Sequence, residues 1–310
     1  MATRAVLLFA GQGAQTVGMG KDLAEAHSSV SDLFAEADQL LDFSLTDAMY
    51  QGPAAELTRT SRCQPALYAH GLACLKLLQE AVPDLEIAGC AGLSLGEFTA
   101  HAAAGTFDFA TGLGLVAKRG AFMEAATEVA DGSMAALIGG EIADIERLAH
   151  DCDIDVANFN APGQIVVSGN KAGITKAIAE AENYGVRVAQ ELDVAGAYHS
   201  RLMQSAQDQI AAVLASTEVS SPDLPVTSNV KGQLVSSPDE IRDTLEAQVT
   251  GSVRWSDCVQ HFLDAGESTF IELGPGRVLA GLMRRIDRKA TMHSFGDLEG
   301  FEKVVAALGE

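Results

Sequence analysis

Residues 86–101 read EIAGCAGLSLGEFTAH. The first seven, EIAGCAG, are a short apolar run of the kind that fills a strand buried on both faces. Gly92, Ser94 and Gly96 then give the G-x-S-x-G spacing, and a helical pattern follows over residues 97–104. A strand that turns sharply through glycines into a helix presents its serine on a strained backbone at the helix start. Backbone N–H groups at that helix end can stabilise an oxyanion. The same serine would also serve as an ordinary N-cap, a role serine fills well. No base stands beside it in the chain, because position 93 is leucine.

Upstream, AVLLF at 5–9 reads as a central strand that runs into the glycine turn GQGAQ. Helical patterns cover 32–41, with Ser31 as the expected N-cap, then 65–78 and 109–126. Short strands alternating with helices predict a mostly parallel sheet covered on both faces. The texture changes near Gly132. SMAALIGG, EIADIERLAHDC, IDVANFN, GQIVVSG, KAGITKAIAEAENYG and VRVAQELDV read in turn as strand, helix, strand, strand, helix and strand. That order is the ferredoxin-like β-α-β-β-α-β pattern, here inserted into the larger unit. Beyond it, HSRLMQSAQDQIAAVLAST reads as a helix, LPVTSNV as a strand and FIELGPG as a late strand ending in a tight turn.

Composition narrows the function classes. The chain has 310 residues, 47% hydrophobic and 20% charged, enough to bury a sizeable core in one large α/β domain or two modest ones. Its net charge of −21 argues against nucleic acid as a partner. Five scattered cysteines without a C-x-x-C pair argue against a disulfide framework or a structural zinc site. The apolar start of MATRAVLLFAGQGAQ is too short for a signal peptide, and no run approaches the ~18 apolar residues of a membrane span. A reducing cytoplasm is the expected location.

Two charged or titratable residues stand out. On a helix over 109–126, Arg119 lies on the inward face with Val116 and Met123. A buried guanidinium needs an anionic partner. That partner is either an internal Asp or Glu or the carboxylate of a substrate held bidentately. His199, 105 residues after Ser94, follows a strand and a Gly-Ala turn and precedes a helix. Position alone does not separate a structural from a catalytic histidine there. The other six histidines include His261 and His293 and form no H-x-x-x-H metal pattern. The first glycine turn, Gly11-Gln12-Gly13, lacks the third glycine of a dinucleotide site but lies where ligands bind in parallel sheets.

The motifs LFAGQGAQTVGMG, SRCQPALYAHG, GLSLGE, AKRGAFM, ANFNAPGQIVVSG, GAYHSRLM and IELGPGRVL follow one another over nearly the whole chain. In content and order they resemble those of malonyl-CoA:acyl carrier protein transacylases. The resemblance implies an α/β fold. An α/β-hydrolase-like large domain with a mostly parallel sheet would comprise 1–129 and 197–310, and a ferredoxin-like subdomain would comprise 130–196. It implies ping-pong acyl transfer from malonyl-CoA to the phosphopantetheine thiol of acyl carrier protein, with no permanently bound cofactor and no metal. Ser94 would be the nucleophile and His199 the general base. The amides of Gln12 and Leu95 would form the oxyanion hole. Arg119 would clamp the malonyl carboxylate, and Gln64 and Asn160 would line the site. A backbone carbonyl orients the histidine in this family, and the resemblance places it here at Arg254, in GSVRWSD.

Two positions bear on detail. The family usually reads G-H-S-x-G, whereas here Leu93 replaces the histidine, which affects packing around the turn more than reaction type. An aromatic before the catalytic histidine, here Tyr198, accompanies malonyl selectivity in relatives. Carrier protein is acidic, so docking on this acidic chain calls for a local basic surface. Candidates are Arg187, Arg201, Arg277, Arg284, Arg285, Arg288 and Lys289. The protein is expected to be a monomer that supplies fatty acid synthesis, or polyketide synthesis by identical chemistry. A serine esterase or thioesterase of the α/β-hydrolase type is the competing reading, and it would draw its base from His261 or His293.

Overall fold

Ala5 to Phe9 are five consecutive apolar residues, so neither side of that strand tolerates water, and all five are buried. The structure, a computed structural model, describes residues 4–309. Arg4–Phe9 is β1, flanked by β2 (Glu86–Gly92) and, from the far end of the chain, by β9 (Thr269–Leu273), with β3 to β8 lying between these in sequence. The full six-stranded sheet has the order β10-β9-β1-β2-β7-β8, where β7 is Val226–Ser228, β8 is Gln233–Val235 and β10 is Thr291–Phe295. Every pairing is parallel except that of β7 with β8. Ala5, Leu7 and Phe9 face one layer of helices, and Val6 and Leu8 face another that includes Trp255, Val259 and Phe262.

Register places the turns. Phe9 stands opposite Gly92 on one side and Leu273 on the other. The segments that follow these strands therefore leave the sheet together at its carboxyl edge, where ligands bind in open α/β sheets. They are Gly11-Gln12-Gly13, Leu93-Ser94 and Gly274-Pro275-Gly276.

A second sheet holds β3 (Gly132–Gly139), β4 (Asp155–Ala161), β5 (Gln164–Asn170) and β6 (Val186–Glu191) in the order β4-β5-β3-β6, wholly antiparallel. With helices Ile142–Asp151 and Lys171–Glu180 this is the β-α-β-β-α-β order of a ferredoxin-like unit. One face packs Leu137, Ile165 and Val167 under those helices. From the other, Met134 and Val166 join the main core.

Some helix ends differ from expectation. The helix expected from Asp32 begins at Ser28, its N-cap is His27, and Ser31 lies inside it, donating to the Ser28 carbonyl at 3.0 Å. The helix expected from Pro65 runs Thr60–Ala81 and is buried along most of its length. Pro65 costs it one backbone bond, and tertiary packing outweighs that loss. The stretch after His199 starts as a 3₁₀ turn, Arg201–Met203, before the helix Gln204–Ser216.

Candidate active site

Ser94 sits between β2 and the helix Leu95–Ala103 with φ 54° and ψ −107°. A non-glycine residue at positive φ is strained and needs surrounding bonds to hold it. Those bonds are present. The Ser94 amide donates to Asn229 Oδ1 at 2.7 Å, and its carbonyl accepts from Gln248 Nε2 at 2.9 Å. The flanking glycines are required by space. A Cβ on Gly92 would lie 1.9 Å from the Gly96 carbonyl carbon, and one on Gly96 would lie 2.2 Å from the Phe9 carbonyl oxygen. Ser94 makes no capping bond. Its Oγ is instead 2.7 Å from His199 Nε2 and accepts from Arg119 Nη2 at 3.2 Å.

His199 also has positive φ, 55°, and is 4% exposed. Its Nδ1 lies 2.8 Å from the backbone carbonyl of Gln248. A carbonyl only accepts, so Nδ1 carries the proton and Nε2 is free to accept one from Ser94. Burial, and then the nearby Arg119 charge, lower the His199 pKa to about 4, which keeps the ring neutral at ordinary pH.

The carbonyl expected from Arg254 is therefore supplied by Gln248. Arg254 caps the helix Trp255–Asp264, and its own carbonyl is taken by the Cys258 amide at 3.0 Å. Its guanidinium lies over Phe159 and against Asp257.

Arg119 is 1% exposed, within the helix Phe109–Val129. It donates from Nη1 to Gln64 Oε1 at 2.8 Å and from Nη2 to Gln248 Oε1 at 2.7 Å, while Nε has no partner. Among the described residues it has no carboxylate at salt-bridge distance, which answers the alternative of an internal ion pair. Burial lowers its pKa to about 10, so it remains a cation. A buried guanidinium with neutral partners, next to a serine–histidine pair, keeps its charge uncompensated and has the fork that a carboxylate can accept from.

Ser94 and His199 open on a cavity of about 530 Å³ that is also lined by Gln12, Gln64, Leu95 and Asn160. Among the described residues the amides of Gln12 and Leu95 have no hydrogen-bond acceptor. Asn160 Oδ1 is likewise buried without a donor. Leu93 borders the cavity with Val278 and Leu282, which makes that wall apolar. Tyr198 borders it too, its hydroxyl 2.6 Å from Thr60 Oγ1. His199, not His261 or His293, reaches Ser94. Among the described residues no group of three or more His, Cys, Asp or Glu side chains could hold a metal ion.

The expected docking residues are scattered. Arg201 is engaged by Asp153 and Asp155 at 2.7 and 2.8 Å. Arg187 lines a separate cleft beside Arg254, and Arg277 lines another beside Asp22 and Asp297. Arg284, Arg285 and Arg288 share one open cavity at the end of the helix Val278–Ile286, which also supplies Val278 and Leu282 to the catalytic cavity. Lys289 is exposed beside them.

Three site residues had no assignment from the sequence: Asn229, Gln248 and Glu97. Asn229 and Gln248 lie 135 and 154 residues from Ser94, in segments without a spacing pattern. Glu97 did carry a signal, being an acidic residue three positions past the serine in a helix that is mostly apolar and small.

Known proteins share this fold and much of this sequence. The acyl transferase domain family matches residues 6–296. A malonyl CoA-acyl carrier protein transacylase of Bacillus subtilis is 35% identical over 315 residues, covering 99% of this chain and 98% of its own. One from Escherichia coli is 38% identical over 288 residues, covering 92% and 93%. A polyketide biosynthesis malonyl CoA-acyl carrier protein transacylase of Bacillus velezensis is 40% identical over 284 residues, covering 90% and 95%. Among solved structures, a malonyl-transacylase in complex with a type II PKS acyl-carrier protein superposes with a TM-score of 0.94 at 34% identity, covering 99% of this chain and 100% of that one. With these matches spanning nearly its whole length, the chain belongs to the acyl transferase family, in the group of malonyl CoA-acyl carrier protein transacylases.

Proposed function

We propose that this enzyme moves malonyl groups from malonyl-CoA to the phosphopantetheine thiol of acyl carrier protein through a malonyl ester on Ser94. Ser94 Oγ attacks the thioester carbonyl while His199 Nε2 takes its proton. The amides of Gln12 and Leu95 receive the oxyanion. Collapse expels coenzyme A, whose sulfur takes the proton back from His199. Arg119 holds the free carboxylate throughout, with Gln64 and Gln248 bracing its fork. The carrier thiol then repeats the sequence in reverse, giving up its proton to His199 and restoring Ser94. The first half-reaction exchanges a thioester for an ester and the second an ester for a thioester, so the overall transfer joins two like thioesters and is reversible. No resident cofactor or metal enters these steps.

The observation that carries this reading is the 2.7 Å contact of Ser94 Oγ with His199 Nε2, beside a buried guanidinium whose partners are all neutral. Arg119 is what favours a malonyl over a plain acyl ester. The Tyr198 ring crowds an α-branch and favours malonyl over methylmalonyl, a preference of ~1–3 kcal/mol for one carbon. Arg284, Arg285, Arg288 and Lys289 form the docking surface for the acidic carrier, at the far end of a helix whose Val278 and Leu282 line the catalytic cavity. The enzyme works as a cytoplasmic monomer supplying fatty acid synthesis.

The test is intact-protein mass spectrometry after brief mixing with malonyl-CoA. Wild type gains about 86 Da, Ser94→Ala gains nothing, and added carrier protein discharges the adduct. An adduct that survives in Ser94→Ala would refute the assignment.

A further inference from the structure

Glu97 is 0% exposed and lies one turn into the helix that begins at Ser94. Its Oε2 accepts from Gln248 Nε2 and, at 3.1 Å, from the Asn229 amide, while its Oε1 is buried with no donor. Gln248 is the hub of the site. Its side-chain oxygen holds Arg119, its side-chain nitrogen serves both the Ser94 carbonyl and Glu97, and its backbone carbonyl holds the His199 ring. A flipped amide would set its NH₂ against the guanidinium and its oxygen against the carboxylate. Arg119 and Glu97 therefore fix the amide from opposite sides.

Charge makes the same residue sensitive to substrate. In the empty site the Arg119 cation and a Glu97 anion balance without touching. A malonyl carboxylate on Arg119 brings a second anion up to two buried charged side chains, where like charges are costly. The unpaired Oε1 offers a place for a proton that restores the balance. We propose that Glu97 is a positioning residue of malonyl transfer: through the Gln248 amide it sets Arg119 and His199, and it takes up a proton when a substrate carboxylate settles on Arg119. This rests on the roles given above to Ser94, His199 and Arg119.

The other ionisable groups facing Glu97 do not supply that proton response. Cys258, from the helix Trp255–Asp264, is held up at about 12 by burial. His101, one turn further along its own helix, is pushed down to about 3, and His199 beyond Gln248 to about 4. Arg119 stays charged. Burial raises Glu97 itself to about 7, so it alone changes state near neutrality.

The experiment follows Ser94 malonylation by quenched-flow mass spectrometry with malonyl-CoA and no carrier, from pH 5 to 9. In wild type the second-order constant falls about tenfold per unit above pH 7, because the reacting complex binds one more proton than the free enzyme. Glu97→Gln keeps an acceptor for Gln248 but carries no charge, so its constant matches wild type within about threefold at pH 6 and stays level to pH 9. Glu97→Ala loses the brace and falls about tenfold or more at every pH. An alkaline fall in Glu97→Gln equal to that of wild type would overturn the proton role. Wild-type rates in Glu97→Ala at pH 6 would overturn the positioning role. Absence of any malonyl adduct on wild-type Ser94 would instead bring down the reading of the site itself, and the proposal with it.

Discussion

Arg119 donates to Gln64, Gln248 and Ser94, and each of those partners is neutral. In Arg119→Ala the malonyl carboxylate would be buried without a counter-charge, and two glutamine oxygens would lose their donor. Truncating one member of a buried charged pair costs roughly 3 kcal/mol or more, about 100-fold in kcat/KM. An acetyl thioester has no carboxylate to lose, so its smaller rate should drop far less. Comparing kcat/KM for malonyl-CoA and acetyl-CoA in the variant decides the matter, and equal losses would remove the clamp role from Arg119. The inward position of this arginine was legible from helix periodicity alone. Its partner was not, because an internal ion pair and a substrate site look the same in one dimension. Gln248 illustrates the harder case. It reaches the site through a backbone carbonyl, which leaves no side-chain signature, so the expected carbonyl fell on Arg254, six residues on.

Among the elements, the turn around Ser94 is the one with least room. Gly92 and Gly96 let the start of a helix pass directly under β1 and β2, and a Cβ at Gly92 would overlap backbone rather than a movable side chain. Gly92→Ala must therefore displace the helix start that carries Ser94, at a cost of several kcal/mol, since overpacking against fixed backbone finds no relief. Gly114 makes the contrast. It lies within the helix Phe109–Val129, where nothing is within 4 Å of an added Cβ. Gly114→Ala should raise stability by about 0.5–1 kcal/mol through helix propensity. Urea melts of the two variants test the pair, and a harmless Gly92→Ala would mean that the turn is looser than its contacts imply. The strand of this turn was readable to the residue, because a parallel strand buried on both faces is a plain apolar run with glycine at its end. Helix starts were less readable. Ser31 looked like a cap and Pro65 like a first residue, yet packing carried both helices several residues further upstream.

For the molecule as a whole, acid is the natural test of what burial has done. Three histidines are buried in different places. His70 ties the helix Thr60–Ala81 to the Gly296 carbonyl, His101 bonds Thr106, and His199 stands in the active site. Burial lowers their pKa values to about 4, 3 and 4. The unfolded chain takes up these protons near pH 6.5, whereas the folded chain resists until much lower pH. Their contribution is thus complete above pH 6.5 and is lost as pH falls toward 4 and then 3, at about 1.4 kcal/mol per unit for each ring. Glu97 works the other way. Raised to about 7, it favours the folded state as pH falls from 7 toward 4.5, and so offsets one histidine over that interval. Below 4.5 the offset is spent and stability should fall steeply. His101 is the simplest of the three to replace because it hydrogen-bonds Thr106 and none of the residues assigned to catalysis, and its Nε2 has no partner to lose. His101→Asn keeps a polar atom near Thr106 and cannot take up the proton. Between pH 6 and 4 its unfolding free energy, from urea melts, should fall less steeply than that of wild type by about 1.4 kcal/mol per unit. Parallel slopes would mean that His101 is already protonated in the folded protein, and that the core around it admits a charge.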